Sequence, residues 1–215
     1  MGRDKKRLNT IVADLKVRGA AQIYTYCIDL NDIDSHIQML DSANKNLSGI
    51  DTVLIAHGTL PNQKRCEQSV EETLTEIKIN ALSTISLLTL IANCFETRQA
   101  GTIAVISSVA GDRGRASNYV YGSAKAMITT FTSGLRHRLH KFNVAVVTIK
   151  PGFVDTPMTA GFKKGPLWAK PQAVAAKIVK AIDAKKNEVY VPSFWGAVIM
   201  VIKVLPTKIF LRLKV

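Results

Sequence analysis

Short apolar runs alternate with longer helical stretches along most of the chain, and this alternation restricts the fold more than any other feature. The runs with the length of strands cover residues 22–28, 51–56, 102–107, 143–149 and 188–191. Helical patterns fill residues 5–18, the stretch after Asn31 and Asp32, and residues 70–97, 118–141 and 171–185. Continuous apolar strands that alternate with helices form a parallel sheet covered on both faces. The sequence therefore predicts a doubly wound α/β domain over residues 1–191, followed by an apolar and basic extension, 192–215.

The cysteines and the apolar runs point to a cytoplasmic protein. Only three cysteines occur among 215 residues, outside any Cys-x-x-Cys or Cys/His cluster, so we expect neither disulfides nor a metal site. Residues 1–7 are mostly charged, which does not fit a secretory leader. The longest apolar run, around residues 194–202, ends at Lys203 and is well short of the roughly 20 residues that cross a bilayer. We therefore expect no membrane-spanning helix.

The positive charge is concentrated at the C-terminal end. The formal net charge is +13, and residues 161–215 contribute +9 of it, from eleven Lys or Arg against two acidic residues. A strongly basic chain suits nucleic acid, a membrane surface or anionic small ligands. Here the cations lie beside apolar residues, without aromatic-interleaved basic motifs or a zinc finger, so we expect no nucleic-acid partner.

Polar residues that follow one predicted strand have the spacing of a catalytic group. Ligands of parallel α/β sheets bind at the carboxyl ends of the strands. Ser107 and Ser108 come directly at such an end, and Tyr121 follows Ser108 by thirteen residues, with Lys125 one helical turn further on. An ammonium group beside a phenol favours the phenolate, so we expect Lys125 to lower the pKa of Tyr121 from its usual value of about 10. Tyr121 is then a candidate general acid or base.

In this order, these residues resemble the short-chain dehydrogenase/reductase family, and the resemblance covers nearly all of residues 2–191. It is carried further by Asp29 after the first predicted strand, by Ala56-His57-Gly58, by Asn80 within Lys-Ile-Asn-Ala, and by Pro-Gly-Phe-Val-Asp-Thr at 151–156. The resemblance implies a Rossmann-like fold and a hydride transfer that interconverts a ketone and a secondary alcohol. It also implies a catalytic tetrad of Asn80, Ser108, Tyr121 and Lys125.

The same resemblance assigns a role to each member of the tetrad. Ser108 orients the substrate oxygen, Tyr121 exchanges its proton, Lys125 also holds the nicotinamide ribose, and Asn80 positions a water in the proton relay. Taken singly, Asn80 is also explained as a polar residue inside a helix and Ser108 as a hydroxyl that caps a loop.

One motif of the family has no counterpart here. The family usually begins with a strand and a TGxxxGxG turn, whose glycines let the backbone approach a pyrophosphate at a helix N-terminus. The first residues, Met-Gly-Arg-Asp-Lys-Lys-Arg-Leu, instead resemble the end of the family's second strand and its following helix. We therefore expect the first strand and the Gly-rich turn, roughly 30 to 40 residues of a usual domain, to be missing.

The remaining motif positions imply a nicotinamide cofactor. Arg3, with Gly2 where an NAD-specific acid often stands, suits the 2′-phosphate of NADP, with NAD as the alternative; a solvated arginine at a helix start explains it too. Asp29 resembles an adenine-contacting aspartate, or it caps a helix. The further positions expected to bind the cofactor by resemblance are Ala56, Gly58, Tyr121, Lys125, Pro151, Gly152, Val154 and Thr156.

Residues 194–215 mix aromatic, aliphatic and basic side chains and suggest a surface that meets anionic lipid. Trp195 and Phe210 would lie at headgroup depth, with Lys203, Lys208, Arg212 and Lys214 facing lipid phosphates. A subunit interface or a lid over the active site explains the same composition. A similar tail occurs in family members that reduce polyprenyl-phosphate-linked keto sugars, so we expect a small-molecule or lipid-like carbonyl substrate.

Two further expectations concern assembly and activity. The family commonly pairs long helices across subunits, so residues 70–97 and 118–141 are where we expect a homodimer or tetramer to form. The missing Gly-rich turn also leaves open a catalytically impaired relative that binds a nucleotide or a partner, although the whole tetrad is present.

Overall fold

The computed structural model describes residues 1–213, which form two compact units, one of residues 1–51 and one that begins at Thr52. Lys214, one of the cations predicted to meet lipid, lies outside the described residues. The first unit holds helices α1 (Lys5–Val17) and α2 (His36–Asn46), with a short 3-10 turn at Ile33–Ser35. The second unit contains the sheet and the predicted catalytic residues.

The strand predicted at 22–28 is wrong in the first unit. Within this segment only Cys27 forms a bridge, to Gly2. Two hydrogen bonds hold it: the Gly2 N–H donates to the Tyr26 carbonyl at 3.2 Å, and the Ile28 N–H donates to the Gly2 carbonyl at 2.9 Å. A strand needs a partner that pairs with several consecutive residues. Here the pairing segment at the start of the chain leads into α1 at Lys5. Residues 22–28 therefore stay extended but form no ladder of paired residues.

Four parallel strands form the sheet of the second unit within the described residues: β1 (Thr52–Ile55), β2 (Gly101–Ile106), β3 (Val144–Pro151) and β4 (Glu188–Val191). Their order across the sheet is β1-β2-β3-β4, the same as along the chain. The helices between them are α3 (Gln63–Gln68), α4 (Val70–Ile77), α5 (Ser83–Arg98), α6 (Tyr119–Leu139) and α7 (Pro171–Asp183), and α8 (Phe194–Val204) and α9 (Thr207–Phe210) follow β4.

Helices cover both faces of this sheet, as the apolar strands predict. On one face Val147 and Ile149 of β3 pack with Val174 and Ala181 of α7. The alternate residues of β3 meet α6, where the Thr132 and Thr148 hydroxyls lie 2.8 Å apart. Successive side chains of a strand point to opposite faces, so one strand joins both layers. The predicted doubly wound α/β fold is confirmed.

The long helical stretch Val70–Arg98 is interrupted by a π-turn at Lys78–Leu82. By length and composition it could cross a membrane, with a mean hydropathy of 1.4 over its most apolar window. However, 44% of that window is buried, and side chains such as Leu88 and Phe95 belong to the core. This is the pattern of a core helix in a folded α/β domain.

The C-terminal helices are fastened to the loop that follows β2. Trp195 and Ile199 of α8 form a buried cluster with Val109. Arg113 donates from Nη1 to the carbonyls of Ile202 and Leu205, the latter at 2.8 Å, and its guanidinium lies 3.8 Å from the centre of the Phe210 ring. Trp195, predicted to lie at headgroup depth, is only 2% exposed, so that part of the membrane prediction is wrong. Phe210 is half-buried, with the Arg113 guanidinium over one face of its ring.

Candidate active site

The two serines after β2 have different surroundings. The Ser107 hydroxyl donates to the Lys125 carbonyl at 3.0 Å, lies 2.8 Å from the Thr129 hydroxyl and is buried. Ser108 caps the following 3-10 turn, where its Oγ accepts from the Ala110 N–H at 3.1 Å. Ser107 thus anchors the strand end to α6, while Ser108 remains at the carboxyl edge of the sheet.

Tyr121 lies in the first turn of α6, and its pKa responds to the Ser108 side chain. Burial raises the pKa of Tyr121 to about 12, and the Ser108 side chain lowers it only in part. The predicted lowering of this pKa is therefore wrong for the free protein. A phenol taken out of water disfavours its anion, and here this effect is larger than any attraction from a nearby cation.

Lys125 lies beside Tyr121, as the four-residue spacing predicts. Its Nζ is 5.5 Å from the centre of the Tyr121 ring and donates to the Ile106 carbonyl at 3.2 Å. The residue is only 3% exposed. Burial lowers the pKa of Lys125 to about 8, because the ammonium has lost water and no carboxylate replaces it.

Asn80 lies at the centre of the π-turn and is fully buried. Its Nδ2 donates to the Thr59 hydroxyl, to the Glu76 carbonyl and to Glu76 Oε2 at 2.9 to 3.1 Å, while its Oδ1 accepts from the Thr59 N–H at 2.9 Å. Single π-turns inside helices occur frequently at functional sites. Two of these hydrogen bonds join the Asn80 amide to Thr59 and so hold the loop after β1 in position.

Gly58 brings this loop against the Tyr121–Lys125 side of the site. Its φ of +152° is accessible to glycine, and an added Cβ would lie 2.8 Å from Asn80 Oδ1 and 3.6 Å from Lys125 Nζ. A side chain at this position would collide with the Asn80 amide, so the glycine lets the loop pack directly against Asn80 and Lys125.

His57 occupies the position where the family pattern has asparagine. Its Nε2 lies 2.8 Å from the Ser83 hydroxyl and 3.3 Å from that of Thr84, both at the start of α5. The imidazole thus ties the loop after β1 to the helix that follows the π-turn. Ala56, between His57 and the strand, is exposed.

The segment after β3 contains the other predicted cofactor positions. The Gly152 N–H donates to the Val191 carbonyl at 3.0 Å, and Val154 forms a bridge with Ala169. The Thr156 N–H donates to the Thr159 hydroxyl at 3.1 Å, at the start of a 3-10 turn. Pro151 ends β3 itself, so these positions follow the strand carboxyl end as expected.

Arg3 and Asp29 lie in the first unit, on either side of the Gly2–Cys27 bridge. Arg3 is exposed. The Asp29 carboxylate accepts from the Asn31 N–H at 3.0 Å, and Asn31 begins the turn before α2. Asp29 thus stabilises a local turn and caps no helix, because Asp32 is the N-cap of the 3-10 turn and Ser35 that of α2.

A buried ionic cluster around Lys150 was not predicted from the sequence. Lys150 Nζ lies 2.8 Å from Asp112 Oδ1 and 2.8 Å from Glu188 Oε1, and the Tyr190 hydroxyl donates to Asp112 Oδ2 at 3.2 Å. Burial by itself lowers the pKa of Lys150, but the hydrogen bonds to Asp112 and Glu188 outweigh it and raise that pKa. A lysine directly before Pro151-Gly152, at the end of an apolar strand, is the signal that could have indicated a buried charge.

The comparisons with known proteins agree with this fold. The family model for short chain dehydrogenases matches residues 1–166. An uncharacterized oxidoreductase of Mycobacterium tuberculosis strain H37Rv is 33% identical over 211 residues, covering 98% of this chain and 85% of the relative. An uncharacterized oxidoreductase of Streptomyces coelicolor is 29% identical over 215 residues, covering 99% and 84% of the two chains.

A solved structure has the same fold. It is that of a provisionally named gluconate dehydrogenase from Agrobacterium tumefaciens, with a TM-score of 0.77, 18% identity, and coverage of 88% of this chain and 81% of the other. The family match and the relatives named as oxidoreductases show an oxidoreductase that acts between CH–OH and C=O groups. This chain belongs to the short-chain dehydrogenase family, whose members use NAD or NADP.

Proposed function

We propose that this chain interconverts a ketone and a secondary alcohol, with NADP as its cofactor and Tyr121 as the general acid and base. The observation that carries the proposal is the placement of Tyr121 beside the buried Lys125 ammonium, with Ser108 near enough to act on the Tyr121 pKa. A nicotinamide supplies the hydride when it is bound. The Gly58 backbone packs against Asn80 and lies close to Lys125, which brings the loop after β1 to the same group of residues.

The protein's own groups account for the proton transfer. With a pKa of about 12, Tyr121 is protonated at neutral pH and is ready to donate to a carbonyl oxygen. Ser108 donates a hydrogen bond to the same oxygen and orients it. Charge that develops on Tyr121 as it loses its proton is stabilised by the Lys125 ammonium. Asn80 keeps the Gly58–Thr59 backbone in place.

The preference for NADP rests on Arg3. Arg3 is exposed and directly follows Gly2, the residue that forms the bridge with Cys27. A guanidinium binds a phosphate monoester through two parallel hydrogen bonds. Fluorescence titration with NADPH and NADH tests this preference, with Arg3→Gln as the variant and Arg18→Gln, an exposed arginine of the same unit, as the control. We expect Arg3→Gln to weaken NADPH binding about tenfold and to leave NADH binding unchanged.

The decisive test replaces Tyr121 by Phe and follows NADPH oxidation with a panel of ketones. We expect the rate to fall about 10²- to 10⁴-fold, because the proton donor is gone. Tyr119→Phe is the matched control, since Tyr119 is on the same helix turn and is 43% exposed. Equal rates in both variants would contradict the proposal. Failure of NADPH and NADH alike to bind would favour the alternative of an impaired relative that binds a partner.

We also propose that α8 and α9 contact anionic membranes from the cytoplasmic side. Met200, Val201, Val204, Ile209 and Leu211 are between 51% and 77% exposed, and Lys203, Lys208 and Arg212 are exposed among them. Met200→Glu should reduce flotation with phosphatidylglycerol vesicles, whereas Val179→Glu, on the exposed side of α7, should not. Equal flotation of both variants would remove the membrane proposal and favour a subunit interface.

A homodimer or tetramer through Val70–Arg98 and α6 is a further proposal. Val70 and Leu74 of α4 are 77% and 62% exposed, which leaves an apolar surface for a second subunit. Leu74→Glu should lower the mass measured by sedimentation to that of one chain; an unchanged mass would exclude this surface.

A further inference from the structure

The buried polar side-chain atoms that lack a hydrogen bond, among residues 1–213, belong to Gln63, Arg115, Asn118 and Trp195. All four adjoin the segment between Ser108 and Tyr121. Arg115 and Asn118 are part of it, Gln63 accepts from the Val120 N–H, and Trp195 packs on Val109. Buried polar groups in folded proteins are almost always paired, so a group of unpaired ones requires an explanation.

The atoms left free on Arg115 are Nε and Nη2. These two nitrogens form one edge of the planar guanidinium, with their N–H bonds pointing the same way. That edge matches the two oxygens of a carboxylate or a phosphate and binds them through two parallel hydrogen bonds. The unpaired atoms thus have the geometry of an anion receptor.

The nearest acid does not use this edge. Burial lowers the pKa of Arg115, and the charge of Asp112 only partly opposes this effect. The oxygens of Asp112 are bonded to Lys150 at 2.8 Å and to the Tyr190 hydroxyl at 3.2 Å. The Nε–Nη2 edge of Arg115 is therefore buried and positively charged, and no hydrogen-bond acceptor among residues 1–213 is paired with it.

We propose that Arg115 binds an anionic group of the substrate, a carboxylate or a phosphate, through its Nε–Nη2 edge. This inference rests on the proposed function and names the substrate class: carbonyl or alcohol compounds that carry an anion. Arg115 lies six residues before Tyr121, on the segment that connects the carboxyl end of β2 to α6 and that contains Ser108.

Thermal unfolding in sodium phosphate and in sodium acetate, at an ionic strength held constant with chloride, tests this proposal without requiring turnover. Both anions, or one of them, should raise the Tm of the wild type in a saturable way. Arg115→Met should weaken that binding about tenfold or more. A response to acetate alone indicates a carboxylate, and a response to phosphate alone indicates a phosphate ester. Arg18→Met, at an arginine whose side chain is 72% exposed, should behave as the wild type.

A second readout separates a receptor from a structural arginine. Without added anion, Arg115→Met should raise the Tm by about 2 to 4 °C, because it removes a buried unpaired charge. A lower Tm would mean that Arg115 stabilises the fold and would overturn the proposal. So would an equal response of wild type and Arg115→Met to both anions. Either result is independent of whether NADPH binds or is oxidised, which the proposed function governs.

Discussion

Lys125 and Lys150 are equally buried at 3% exposure, yet they have opposite electrostatic surroundings. Lys150 is bonded to two carboxylates, Asp112 and Glu188, and its pKa is raised. Lys125 has the Ile106 carbonyl and the Tyr121 ring but no acid, and burial lowers its pKa to about 8. Under the proposed function, the absence of a counter-charge leaves Lys125 able to respond to charge that forms on Tyr121, whereas Lys150 is neutralised by its carboxylates.

The comparison predicts that activity depends on Lys125 far more than on other lysines. Lys125→Met should lower the rate of NADPH-dependent ketone reduction about 10²- to 10⁴-fold, because the charge on Tyr121 in the transition state loses its cation. Lys177→Met, at an exposed position of α7, is the control and should keep the wild-type rate. Steady-state kinetics with NADPH measures the rates of both variants. Comparable losses of rate would contradict the prediction that activity depends on Lys125 more than on other lysines.

Stability should depend on Lys150 instead. Lys150→Met leaves the Asp112 carboxylate buried without its cation, and we expect the free energy of unfolding to fall by about 3 to 5 kcal/mol. Urea unfolding monitored by circular dichroism measures this loss. A variant that folds with wild-type stability would show that the cluster is dispensable.

The two lysines should also give opposite dependences of stability on pH. The Lys125 pKa is lower in the folded than in the unfolded chain, so the unfolded chain binds more protons between pH 8 and pH 10.5, and stability from this group rises by about 3 kcal/mol across that window. Lys150 has a raised pKa, so its contribution is complete below about pH 10.5 and is lost above it. Unfolding free energies of the wild type and Lys125→Met from pH 7 to 10.5 measure the first effect.

The variant Lys125→Met should lack that rise and should be no less stable than the wild type at pH 7. Parallel curves for the two proteins would mean that Lys125 is not desolvated in the folded chain.

The smallest effect is expected at the outer acid of the Lys150 cluster. The Glu188 side chain is 36% exposed, and water screens its attraction to Lys150. Glu188→Gln should therefore change the free energy of unfolding by less than about 1 kcal/mol. A loss as large as that of Lys150→Met would show that Glu188 and Asp112 contribute equally.

The sequence predicted what depends on local pattern. Continuous apolar runs located β1 to β4, and the four-residue spacing placed Lys125 beside Tyr121. The strand at 22–28 was wrong because pairing depends on how far a second segment runs alongside, which composition does not encode. The Lys150 cluster joins residues 112, 150 and 188, and the Tyr121 pKa depends on burial, so both required the fold to be known.

The contact between Gly152 and Trp195 limits how this protein can diverge. A Cβ at position 152 would lie 1.9 Å from the Trp195 indole nitrogen, so any other residue there expels the ring from its place on Val109. A smaller residue at 195 would have to arise first, and by itself it would leave a cavity under α8. The two positions, 43 residues apart, are therefore expected to change together or not at all in descendants of this sequence.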